Sequence, residues 1–158
     1  MHVLGHTTEA TPGENLFTER KDFLFVGALR DDGSPNVDSL LWFIINALPL
    51  IESQIPEAKL YVIGDYSAPS LTVVSKANVV FEGKSDNLKE IYNNCRVFIA
   101  PTRFAAGIPH KIHEASSNGV PCVSTSLLAE QLEWNHEQEL LVGDTEIQFA
   151  SPVSYTHL

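Results

Sequence analysis

The chain has 158 residues, 44% of them apolar and only 19% charged, a balance that supports one domain with a buried core and excludes a disordered or low-complexity sequence. Asp and Glu number 20 against 10 Lys and Arg, for a formal charge of −10. The overall field therefore repels nucleic acid and anionic lipid, and any phosphate ligand has to be held by local cations and amides.

No stretch reaches the roughly 18 uninterrupted apolar residues of a membrane span, so no integral membrane segment is expected. No cationic leader precedes an apolar segment either. Cys95 and Cys122 fall in or beside apolar blocks and read as small buried residues of a reducing compartment, so a cytoplasmic location is expected.

Residues 1–22 are polar, rich in Thr and Glu, and contain Pro12-Gly13 without a sustained period, the pattern of an interdomain linker. Phe23-Leu24-Phe25-Val26 is the first buried strand, and Gly27-Ala28 opens the turn after it, where a glycine lets backbone approach a ligand. Residues 30–35 are a turn cluster, and Asn36 can cap the following helix. In that helix Val37, Leu40, Leu41, Ile44, Ile45 and Leu48 recur at helical spacing, and Pro49 is expected to kink its last turn.

Residues 59–64 form a second strand ending in Gly64, and residues 71–76 a short helical segment. Residues 78–83 form a third strand, again ending in glycine. Ser85 or Asp86 can cap a helix reaching about residue 93, and residues 96–100 are a fourth strand closed by Pro101. Strands alternating with helices at these intervals predict an α/β fold, a Rossmann-like doubly wound parallel sheet of about six strands with right-handed crossovers.

Residues 103–124 carry the chemistry. Gly107 is followed by Pro109 at an expected first helical position, a helix over residues 108–118, and Gly119 to stop it in the left-handed conformation. Pro121-Cys122-Val123-Ser124 then begins another buried strand. The unpaired amides of this helix, from about Ile108, lie at the carboxyl edge of a strand, where open α/β sheets bind anions. Lys111 adds a full positive charge there, and Glu114, three residues on, shares its face and can accept hydrogen bonds from hydroxyls. Phosphate held by amides and Lys111, with sugar hydroxyls held by Glu114, describes a nucleotide-sugar pocket. A surface Lys–Glu pair on an ordinary helix satisfies the same spacing, and spacing alone does not choose between them.

Residues 127–134 are a helical stretch and residues 139–142 a last strand. A further helix opens at residues 146–150 but does not develop, since residues 151–158 break the amphipathic pattern. The domain is therefore expected to span residues 23–150, cut short at its end, with a non-native or disordered tail over 151–158. His110 and His113 share three-residue spacing, but no further ligands stand at metal-binding distances in the sequence, so no metal is expected. The chain has no G-x-S-x-G, no Walker phosphate loop, no G-x-G-x-x-G and no repeat of fixed period.

Arg103, Gly107, Lys111, Glu114-Ala115, Gly119 and Pro121-Cys122-Val123 resemble the donor-site signature R-x-x-x-G-x-x-x-K-x-x-E-A-x-x-x-G-x-P-x-V of bacterial polysaccharide-type members of the group 1 glycosyltransferases. The resemblance implies the carboxyl-terminal, donor-binding half of a GT-B fold. It implies that Lys111 and Arg103 hold the diphosphate and stabilise the leaving group, with amides around Gly107 and Ile108 assisting. Glu114 would hold ribose hydroxyls, Gly27 would allow close approach, and the nucleobase would sit near Gly83 and Lys84.

Two departures stand out. Many members carry an earlier glutamate where this chain has Ala106, and an Arg and a Lys in the first loop where this chain has Leu29 and Asn36, which leaves Arg30 as a substitute. The implied reaction retains anomeric configuration and needs no metal or cofactor beyond the nucleotide diphosphate sugar that serves as donor substrate. The implied partner is an amino-terminal acceptor domain of the same enzyme, without which the fragment binds donor and transfers nothing. A non-catalytic nucleotide-binding or interaction module of the same fold, and a fragment of a GT-B sugar-nucleotide epimerase, are the competing readings.

Overall fold

A computed structural model describes residues 9–74, 76–104 and 109–155. Its elements in chain order are β1 (Lys21–Val26), α1 (Pro35–Trp42), a π turn (Phe43–Ala47), α2 (Leu48–Glu52), β2 (Leu60–Ile63), a 3-10 turn (Pro69–Val73) and β3 (Val79–Gly83), followed by α3 (Leu88–Asn94) and β4 (Cys95–Ala100). They continue with α4 (His110–Ser117), β5 (Cys122–Ser124), α5 (Ser126–Leu132), β6 (Leu141–Val142) and α6 (Glu146–Tyr155). The strands form one six-stranded sheet in the order β3-β2-β1-β4-β5-β6, every pair parallel. This is the Rossmann-like doubly wound sheet expected from the alternation of apolar blocks and helical periods.

The strands read as nearly continuous apolar runs because both faces are covered. Alternate residues of β1 point to opposite faces: Phe23 and Phe25 join one core with Val97, Ile99 and Val123, against Leu40, Phe43, Ile44 and Leu48. Leu24 joins the other with Phe98, Ala100 and Cys122, against Tyr92, Ile112, Ala115 and Leu128. Cys95 and Cys122 are both buried and unpaired, and burial pushes each thiol up to about 12, so neither ionises near neutral pH.

Local details correct several expectations. Ser34, not Asn36, caps α1, its hydroxyl accepting from the Val37 amide at 3.3 Å, while the Asn36 side chain donates to the Ala28 carbonyl at 3.1 Å. Asn87 caps α3, accepting from the Glu90 amide at 3.4 Å, and Ser85 instead accepts from the Asn87 amide. The irregularity at Pro49 takes the form of the π turn, in which the Leu48 amide reaches back to the Phe43 carbonyl. A proline cannot donate and crowds the carbonyl four residues earlier, so the helical ladder slips by one just before it.

Two ends differ from the sequence reading. The stretch before β1 is bound to the domain: the Thr11 amide donates to the Ser117 carbonyl at 2.8 Å, and buried Arg20 donates to the carbonyls of Asn15 and Gly119 at 3.2 and 3.0 Å. Those bonds tie the stretch to the end of α4, the Asn15 amide ties it to Asn93 of α3 at 3.0 Å, and β1 starts at Lys21, two residues earlier than expected. At the other end, α6 does develop, running through Pro152 to Tyr155. Phe149, Ala150 and Val153 are buried, and the Phe149 ring meets Phe43 edge-on at 5.8 Å. Residues 151–155 are thus helical rather than an unstructured tail, because Phe149, Ala150 and Val153 face the core. No helix among the described residues is long and apolar enough to cross a membrane.

The tightest backbone packing is at the strand exits. Gly64 follows β2 with φ of +138°, and a Cβ there would stand 2.0 Å from the Gly27 carbonyl oxygen, while its amide donates to the Gly83 carbonyl at 2.7 Å. Only glycine satisfies both demands. Gly64→Ala is expected to destabilise the domain by more than about 2 kcal/mol, whereas Gly33→Ala, which meets open space, should change stability by less than about 0.5 kcal/mol. Urea unfolding followed by circular dichroism compares the two.

Candidate functional site

The strand order reverses between β1 and β4, so α1 and α4 leave the sheet on opposite faces and their starts face each other across a crevice at the carboxyl edge. Two hollows open there. One, of about 310 Å³, is lined by Pro35 and Asn36 of α1, Thr102 after β4, and Pro109, His110 and Lys111 at the start of α4. The other, of about 260 Å³, lies over the exits of β1 and β2 and is lined by Gly27, Arg30, Gly64, Asp65, Lys84 and Ser85, with Lys111 again.

Lys111 lines both hollows and places one positive charge on the wall between them. Burial pushes its ammonium below the ordinary 10.5, and Glu114 opposes that shift only in part. Pro109 occupies the cap position of α4 rather than its first turn, and no side chain caps the helix. The opening amides of α4 are therefore not satisfied by a side-chain cap, in the arrangement that suits an anion.

Arg103 takes a different place from the one its spacing suggests. Its guanidinium grips both carboxylate oxygens of Asp38, with Nε to Oδ2 at 2.9 Å, and it lines neither hollow. The pair ties the stretch after β4 to the first turn of α1, from one side of the crevice to the other. Hydrogen bonding to Asp38 raises the Arg103 pKa, so it is permanently charged.

At the second hollow Arg30 pairs with Asp65, whose carboxylate that contact holds below its ordinary range, with a smaller effect from Lys84. Asp65 and Asp38 were missed by sequence reasoning. The available signal for Asp65 was its place directly after the glycine that ends β2.

Glu114 is half-buried one turn beyond Lys111 and is not among the residues lining either hollow. Burial first, and then the charge of Glu114, hold the Tyr92 phenol of α3 above its ordinary range. Gly27 lines the second hollow, and a Cβ there would press on the Phe25 ring at 3.0 Å and the Asn36 amide at 3.1 Å. Gly83 ends β3 just behind Lys84 and Ser85, which line the hollow in its place. Gly107, Ile108 and Ala106 lie outside the described residues. The His113 ring packs edge-on against Trp134 at 5.1 Å, and the described residues contain no cluster of three metal-binding side chains.

The family model described as Glycosyl transferases group 1 matches residues 20–155. The chain belongs to the group 1 glycosyltransferases. A curated relative, an uncharacterized 44.6 kDa protein in the cps region of Klebsiella pneumoniae, is 28% identical over 139 residues, covering 82% of this chain and 35% of that protein. The crystal structure of TarM superposes with a TM-score of 0.72 at 11% identity over 95% of this chain and 31% of TarM. The apo lipopolysaccharide outer core galactosyltransferase WaaB gives 0.55 at 16% identity over 96% of this chain and 43% of WaaB. The sheet matches one half of their GT-B architecture, and the chain spans about a third of the relative's length.

In this glycosyltransferase chain Lys111 holds a charge that its surroundings penalise. Lys111→Met is therefore expected to raise stability at pH 7, by less than about 1 kcal/mol because the ammonium is partly solvated. A folded-state pKa below the unfolded one means that the unfolded chain binds more protons between the two values, so wild-type stability rises with pH over that window, below 10.5. Urea unfolding of both proteins at pH 7 and 9.5 should show the gap closing.

Proposed function

We propose that this chain is the donor-binding half of a glycosyltransferase that moves a sugar from a nucleotide diphosphate sugar to a hydroxyl acceptor, in polysaccharide or glycoconjugate synthesis, in the cytoplasm. The observation that carries the reading is Lys111, a desolvated cation on the wall between two adjoining hollows at the switch point of a Rossmann-like sheet. A nucleotide diphosphate sugar needs two adjoining compartments with its negative charge between them. The group 1 family supports this donor class, and WaaB, a lipopolysaccharide glycosyltransferase by its description, supports the acceptor class.

In this reading the diphosphate lies against Lys111 and the opening amides of α4. The bond from the anomeric carbon to the diphosphate breaks, and negative charge grows on the departing oxygen. A preformed cation in a partly water-excluded site stabilises that charge more than the ground state, which is the largest electrostatic demand of the reaction. Arg103 joins by exchanging Asp38 for a phosphate oxygen. Gly27 gives the donor close access to the β1 exit, and the amides of Gly107 and Ile108 assist Lys111.

Glu114 accepts from ribose hydroxyls, and the base sits by Gly83 and Lys84. No metal or cofactor takes part. The acceptor and the residues that bind it belong to an amino-terminal domain of the same enzyme.

Titration calorimetry with UDP and GDP tests this. The wild-type chain should bind one of them, and Lys111→Ala should weaken that binding about tenfold or more, roughly 1.4 kcal/mol. Binding should also fall as pH rises into the window below 10.5, where Lys111 loses its proton earlier than an ordinary lysine. Asp38→Asn should tighten it about two- to fivefold by releasing Arg103, since the exposed pair it removes is worth at most about 1 kcal/mol. Equal affinity for wild type and Lys111→Ala would overturn the assignment.

A further inference from the structure

Asn36 stands in the first turn of α1 and lines the first hollow, across the crevice from Lys111. Its side-chain amide donates to the Ala28 carbonyl at 3.1 Å. A carbonyl only accepts, so the end of the amide turned toward Ala28 has to be the nitrogen. The group is also hemmed in beside the β1 exit. A Cβ on Gly27 would stand 3.1 Å from both Asn36 Cγ and Nδ2, so the missing side chain there is what makes room for it. With its donor end spent on Ala28, the side chain has its oxygen left to offer, and no described residue donates to it.

The two walls of the crevice therefore offer a ligand different things. At α4 stand the Lys111 ammonium and the opening amides of an uncapped helix, all of them donors. At α1 the opening donors are missing or in use: Pro35 has no N–H, the Val37 amide goes to the Ser34 hydroxyl at 3.3 Å, and the Asp38 amide goes to the Ser34 carbonyl at 3.0 Å. A phosphate oxygen only accepts, so it is drawn to the α4 wall and gains nothing from an amide oxygen on the other. A sugar hydroxyl can donate, and the Asn36 oxygen suits it.

We propose that Asn36 selects the transferred sugar, its side-chain oxygen accepting a hydrogen bond from a sugar hydroxyl in the first hollow while the diphosphate keeps to the α4 wall. This role rests on the donor-site reading of the crevice and adds a direction to it, with phosphates against Lys111 and the sugar toward α1. An amide held at Ala28 and Gly27 presents its oxygen along a fixed line. A sugar whose configuration turns the matching hydroxyl away forgoes the bond, so Asn36 discriminates between sugars that differ at one carbon.

Calorimetry compares the nucleotide diphosphate that the wild type binds with its sugar-bearing forms: UDP with UDP-glucose, UDP-galactose and UDP-N-acetylglucosamine, or GDP with GDP-mannose and GDP-fucose. At least one sugar form should bind wild type about fivefold more tightly than the bare diphosphate, and Asn36→Leu should cut that gain to about twofold or less. Asn36→Lys should lose the gain too, and should tighten binding of the bare diphosphate, because a cation then stands where the acceptor was. Lys111→Ala, by contrast, should weaken bare and sugar-bearing forms alike. Thermal unfolding of each variant confirms that it is folded.

If Asn36→Leu keeps the sugar-dependent gain, or weakens bare and sugar-bearing forms equally, Asn36 only secures the turn at Ala28 and the inference is overturned. A wild type that binds the diphosphate but gains nothing from any sugar of the panel overturns it as well, and leaves the diphosphate site standing. Failure to bind either diphosphate defeats the donor-site reading itself.

Discussion

The reversal of strand order between β1 and β4 governs the rest of the molecule. Because β1 lies between β2 and β4, the chain must leave it toward one face and leave β4 toward the other, and the two departing segments cannot cover the edge between them. The resulting crevice is a consequence of topology before any side chain is considered. What the sequence adds is its furnishing: Pro35 and Asn36 on one wall, and Lys111 at the start of an uncapped helix on the other. The exits of β1, β2 and β3 are held so tightly together at Gly27, Gly64 and Gly83 that the floor beside that crevice is backbone. A ligand there meets amides and carbonyls fixed by the sheet.

For an acidic chain, the anion binding proposed here poses an electrostatic difficulty, and the way the cations at this edge are kept bears on it. Arg30 is matched to Asp65, Arg103 to Asp38, and Lys111 feels Glu114. Each of these three positive groups is compensated locally. Lys111 differs from the two arginines in being partly buried, and its depressed pKa reflects a charge held at a cost in free energy. A group strained in this way, inside a cleft, marks a functional site more sharply than an exposed ion pair does.

Much of this was legible in the sequence, and the parts that were not share a cause. Strands followed from apolar blocks closed by Gly or Pro, and the left-handed stop at Gly119, with φ of +72°, followed from its position after α4. Lys111 was found because helical spacing and a strand end bracket it. The partner of Arg103 was not found, since Asp38 lies 65 residues away and nothing local marks the pairing.

The cap of α1 and the growth of α6 were misread on local grounds. Ser34 precedes a proline that reads as turn, and Pro152 reads as a helix end, although Phe149 and Val153 pack on either side of it. At α6 tertiary packing overrides propensity, whereas the α1 cap is local, Ser34 accepting from the Val37 amide with Pro35 at the first helical position.

The Arg103–Asp38 pair shows how such a site can be both closed and responsive. Arg103 is about half exposed in this contact, and an exposed pair contributes at most about 1 kcal/mol even in a forked geometry. Hydrogen bonds from a guanidinium to a phosphate are charge-assisted and contribute about 1.5–3 kcal/mol each when water is excluded. In the proposed donor complex, exchange of Asp38 for a phosphate oxygen is favoured to the extent that the bound diphosphate excludes water from the contact. Until an anion enters, the same pair holds the two walls of the crevice together and keeps an otherwise free guanidinium from attracting unrelated anions. Lys111 cannot step aside in this way, because partial burial fixes it between the hollows. In the proposed donor complex the division of labour follows from burial: the enclosed cation defines where the anion sits, and the exposed one changes partner to close over it.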